Sequence, residues 1–164
     1  VKGFIAALVA VFIILVFNFR SYKWALVAYV PLLLTILVIY GVVGFFGKDF
    51  DMPISVLSCL SLGMAVDFAI HFISRLKERL KGTEGVPEAA TLADALLWTA
   101  ERPGKGIIRN ALLFASAFSV MLLAPLTPYI TVGAFIMSMM ALSSLMTIVT
   151  LPAMITALKG RLFR

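Results

Sequence analysis

Apolar runs about as long as a bilayer is thick narrow what this chain can become more than any other feature. Five are legible: Gly3 to Phe17, Trp24 to Phe46, Ile54 to Ile73, about Ile107 to Leu126, and about Ile130 to Leu158. A helix of roughly 20 apolar residues crosses the hydrocarbon core. The first run is short unless it extends upstream, and the fifth is long enough to tilt or to emerge into water. The chain is 62% hydrophobic and 13% charged, against about half and a quarter in soluble domains. The expected fold is an all-α integral membrane domain, a single five-helix transmembrane bundle over residues 1–164. The chain opens on Val1 inside an apolar stretch, without a small-residue cleavage site after it, which predicts a fragment whose natural beginning lies upstream.

Lysine and arginine predict the orientation. Arg20, Lys23, Arg75, Lys77, Arg79, Lys81, Arg102, Lys105, Arg109, Lys159, Arg161 and Arg164 fall on one side of the predicted spans, and only Lys2 and Lys48 on the other. The basic side is expected in the cytoplasm, with the first residue outside and the last inside. The net charge of +6 then belongs to membrane topology and does not call for a nucleic-acid partner. Within the longest cytoplasmic connection, Ala89, Leu92, Ala93, Leu96, Leu97 and Ala100 recur at helical spacing. Pro87 suits a first turn and Pro103-Gly104 a stop. A short amphipathic helix over about 87–102 is expected on the inner membrane surface, with Trp98 near the headgroups.

The third run holds the residue hardest to explain by packing. Asp67 sits in ISVLSCLSLGMAVDFAIHFI, residues 54–73. A carboxylate at such depth costs roughly 2.5–3.5 kcal/mol on insertion scales. Counted from Ile54, it lies about 20 Å from the outer end and about 10 Å from the inner end of the span. Ser55, Cys59, Gly63, Asp67, His71 and Arg75 recur every four residues, so they form one small or polar stripe. Burial favours the neutral carboxylic acid, and a cation or hydrogen-bond donor opposes that, so neighbours can poise Asp67 between two states. His71, one turn nearer the cytoplasm, exchanges protons near neutral pH. The alternative is a structural hydrogen bond between the two. Gly63 is expected to permit close helix packing, and Asn110, at a depth comparable with His71, to hydrogen-bond the third span. Small residues and methionines on the fifth span suit helix packing and sliding.

No Cys/His cluster has metal-ligand spacing, no Gly-rich phosphate loop is present, and no nucleophile–base set can be assembled. No cofactor or metal is expected, and an enzyme is the least expected class.

The segment Gly63-Met64-Ala65-Val66-Asp67-Phe68-Ala69-Ile70-His71 resembles the fourth-span motif of the resistance–nodulation–division (RND) superfamily. It is most similar to hydrophobe/amphiphile exporters related to the mycobacterial membrane protein large (MMPL) family. Pro31-Leu32 with Gly41 and Gly44 resembles the family's third span, Arg109-Asn110-Ala111-Leu112 the start of its fifth, and Leu151-Pro152-Ala153 the end of its sixth. The resemblance implies spans two to six of one half of an RND-type transporter membrane domain. It also implies a missing first span, a porter domain and a second half as partners, and possible homo-oligomers. It implies a secondary active transporter in a bacterial inner membrane that exports lipids or other amphiphiles on the proton motive force, with Asp67 carrying the proton. Many relatives carry Tyr after the Asp. Here Phe68 offers no hydroxyl, so His71 or the other half must supply the partner. The same helical set also resembles sterol-sensing domains, which hold a lipid without pumping, and the SecD/SecF accessories of protein export.

Overall fold

The computed structural model describes residues 2–45, 52–82, 89 and 91–158, with side chains of the third helix described from Leu62 onward. These residues form α1 (Lys2–Phe19), α2 (Tyr22–Phe45), α3 (Met52–Lys81), α4 (Leu92–Glu101), α5 (Pro103–Ser119), a 3-10 turn (Val120–Leu123) and α6 (Thr127–Ala157). No strand occurs among them. The protein is an all-α membrane bundle. Among the described residues, three helical stretches are long and apolar enough to cross a bilayer: Tyr22–Phe45, Leu92–Leu123 and Thr127–Ala157. Gly3–Phe19 is a shorter apolar helix.

α6 is the centre, packing against α2, α3 and α5, while α1 covers α2 and α3. Its inner side is built from adaptable and small groups: Met139, Met140, Ser143 and Thr147 are all buried. In lipid no hydrophobic force separates helix from solvent, so close contact and interhelical polar bonds decide association. Gly133 illustrates the closeness. A Cβ there would stand 2.8 Å from both the Met121 Cβ and the Phe118 carbonyl oxygen, so the α5–α6 hairpin closes only over a glycine. Two buried hydroxyls are bonded to carbonyls: Thr35 donates to Pro31 at 2.8 Å, and Ser143 reaches across to Ala65 at 3.5 Å.

The joints show how local chemistry sets helix ends. Only Arg20 and Ser21 separate α1 from α2, and Arg20 takes φ 48° to reverse the chain. α4 begins at Leu92, because extended Thr91 caps it and its hydroxyl accepts from the Asp94 N–H. Pro87 and Glu88 lie outside the described residues. Pro103 ends α4 but does not interrupt helix for long. It occupies the first turn of α5, where its missing N–H is no loss. α4 packs on α3 and α5, so α4, the α1–α2 turn and the last turns of α3 share one end of the bundle. That end gathers Arg20, Lys23, Arg75, Lys77, Arg79, Arg102 and Lys105. Lys48, Lys159, Arg161 and Arg164 lie outside the described residues.

Candidate functional site

α3 separates its residues onto two faces. Leu62, Ala65, Phe68, Ala69, Phe72 and Leu76 recur at three- and four-residue steps and are buried against the rest of the chain. Gly63, Asp67, His71 and Arg75 recur at steps of four and are exposed. With 3.6 residues per turn, steps of four stay on one side of the helix. The polar stripe therefore turns away from the core of its own bundle. Ser55 and Cys59 carry it into the part of α3 whose side chains are not described.

Asp67 and His71 stand one turn apart on this open face, with Cβ atoms about 5–6 Å apart. Among the described residues, neither makes a side-chain hydrogen bond or an ion pair. Arg75, the next in line, donates to Glu78 at 2.8 Å. Gly63 faces open space: a Cβ there would meet nothing within 4 Å. No close contact among the described residues relies on that glycine. Asn110 is exposed on α5 and makes no hydrogen bond to the described part of α3. So three of the four residues picked from sequence share one face, and Asn110 does not join them through a bond. Phe68 is only 2% exposed and points into the core. A hydroxyl at that position would be aimed at packed side chains, not at Asp67.

A carboxyl and an imidazole one turn apart, both unengaged, can take up, pass on and release a proton. Beneath them, Lys77 anchors the end of α3. Its ammonium donates to the Phe19 carbonyl at 3.5 Å and lies 4.8 Å and 4.9 Å from the ring centres of Phe19 and Trp24. Burial, and then the like charge of Lys81, holds its pKa below the ordinary 10.5. Sequence reasoning counted Lys77 only as a topology charge. The available signal was the aromatic pair, Phe19 and Trp24, bracketing a turn too short to leave that end of the bundle. Ser143 completes the frame by holding α6 to the inner face of α3 at Ala65, two residues before Asp67.

The chain matches the MMPL family over residues 2–163. It belongs to that family. MMPL proteins fall within the RND superfamily, as the Gly63–His71 motif implies. Among curated relatives, the chain is similar to a protein described as a membrane protein in Methanocaldococcus jannaschii. That match is 24% identical over 148 residues, 90% of this chain and 37% of the relative. It is also similar to the protein translocase subunit SecD of Anaeromyxobacter dehalogenans, 33% identical over 100 residues, 60% of this chain and 16% of SecD. The chain thus spans 37% or less of the length of these relatives. As an MMPL chain it is a multi-pass membrane bundle of RND type.

Proposed function

We propose that this chain is the proton-coupling transmembrane part of an exporter of lipids or other amphiphilic molecules driven by the proton motive force. One observation carries this: a carboxylate with an imidazole one turn away, both exposed on one face of α3, where residues 64–73 are otherwise apolar. Left against lipid, that face is costly. The cost is removed if a second protein surface, the other half of the transporter, closes over Gly63, Asp67 and His71. Gly63 then serves close approach of that surface, since nothing among the described residues packs against it. Asp67 binds and releases the proton, and His71 passes it towards the basic end or tunes Asp67. Losing or gaining one charge at a closed interface changes its attraction by more than a thermal unit, which is enough to shift two helix bundles relative to each other. The basic end lies in the cytoplasm by the positive-inside rule, with the first residue outside and a bacterial inner membrane as the setting.

The test is export by the intact protein in energised vesicles with Asp67→Asn. Transport should fall at least about a hundred-fold while the variant still inserts and folds. Undiminished, gradient-dependent export by Asp67→Asn would falsify the assignment. The similarity to SecD supports a second reading, an accessory of protein export that uses the same Asp67. The two separate on cargo: amphiphile export lost with protein secretion intact favours the first, and the reverse favours the second.

A further inference from the structure

We propose that the start of α5, with the end of α4, forms a binding site for the headgroup of an anionic phospholipid. Arg102, Lys105 and Arg109 follow one another at three- and four-residue spacing and are all exposed. They therefore share one helix face. Among the described residues, none of the three forms an ion pair. The face then changes character within one turn. Leu112 and Leu113 are each 64% exposed, and Ile108 beside them 45%. Cations first and bare leucines next is the order in which a helix passes from headgroups into acyl chains.

Trp98 fixes the level. Two guanidinium groups lie over its half-buried ring, Arg79 at 5.3 Å and Arg102 at 6.0 Å from the centroid. Tryptophan is enriched at headgroup depth, and the stack holds the Arg102 fork in place for a phosphate. Of the two acids on α4, Asp94 is bonded to Arg79 at 3.3 Å, and Glu101 forms no ion pair among the described residues. Three cations against one acid leave a net of two positive charges. Arg102 to Arg109 covers about 10 Å of helix rise, so Arg109 starts below the phosphates and its long stem carries the charge up to them. A free phosphate would use the cations alone. A phospholipid also covers Leu112 and Leu113, which the described residues leave exposed. The site lies on α4 and α5, stands independently of proton coupling at Asp67, and survives if that coupling is disproved.

The test uses the intact protein in nanodiscs of phosphatidylcholine containing a small share of a brominated lipid, and reads tryptophan quenching. The Trp98 signal is the difference between the wild type and Trp98→Phe. Brominated phosphatidylglycerol should quench it at about 25-fold lower mole fraction than brominated phosphatidylcholine, roughly five-fold for each net charge. Arg102→Gln with Lys105→Gln and Arg109→Gln should bring the two lipids within about two-fold. Arg102→Lys with Arg109→Lys should keep most of the preference, which separates lost charge from lost folding. Equal quenching by the two lipids in the wild type, or a preference that survives the triple Gln change, overturns the site. Displacement of phosphatidylglycerol by inorganic phosphate also overturns it, as a phosphate site and not a lipid site.

Discussion

The two faces of α3 obey different rules. The inner face is complete within the chain: Phe72, Ile73 and Leu76 are fully buried, and Ser143 reaches across to Ala65. The outer face, at Gly63, Asp67 and His71, is exposed, and its side chains make no hydrogen bond or ion pair with the described chain. One helix thus carries a finished packing surface and an unfinished polar one, 3.6 residues per turn keeping them apart. The lesson is that the costly carboxylate is not tolerated by burial in its own bundle. It is set where a partner or water must meet it, so coupling and folding should respond to different residues.

That separation can be broken experimentally. The largest effect expected is on the outer face. Asp67→Asn should cut transport at least about a hundred-fold, yet shift unfolding by less than about 0.5 kcal/mol, since the side chain is exposed. A large stability loss on denaturant unfolding would join the two faces and refute the comparison. On the inner face the reverse is expected. Phe72→Ala should destabilise by about 2 kcal/mol, the cavity contribution without the water-transfer gain that soluble proteins add. Phe68→Tyr should cost about 1–2 kcal/mol by placing a hydroxyl among buried side chains, without restoring any Asp–Tyr couple. A changed pH profile of transport in Phe68→Tyr would show that position 68 does address Asp67.

The stripe itself was legible in the sequence, because four-residue spacing is a property of the helix alone. Its direction was not. Small and polar residues suit any close neighbour, whether in the same bundle or another, and the sequence carries no statement of which. Asn110 shows the same gap: matching depth along two helices says nothing about rotation, and Asn110 is turned outward. The ends of α4 and α5 depended on short-range chemistry that competes over a few residues. Pro103 can stop a helix or start one, and here it does both, while Thr91 caps α4. The apolar runs and the basic end were plain from composition, since hydrocarbon and headgroups impose them on any sequence.

Smaller effects sharpen the comparison further. His71→Gln should reduce transport by about ten-fold or less and change its dependence on pH. No change in profile would restrict His71 to a packing role. Lys77 gives the smallest signal. Its folded pKa lies below the ordinary 10.5, so in that window the folded chain binds fewer protons than the unfolded one and stability rises with pH. Wild-type unfolding should therefore gain on Lys77→Met as the pH climbs towards 10.5, with a flat difference near neutrality. A flat difference throughout would show that Lys77 is fully hydrated.

α3 is thirty residues of unbroken helix, and it is pinned near one tip by Lys77 against Phe19 and Trp24. From that pivot to Met52 the rod measures about 38 Å. A swing of only 5° about the pivot moves the free tip by about 3 Å, by the same geometry. Under the proposed coupling, Asp67, about 15 Å along the rod, is the point where force is applied. A displacement of about an ångström there is geared up towards the far end, as in a crowbar, with no need for the helix to bend.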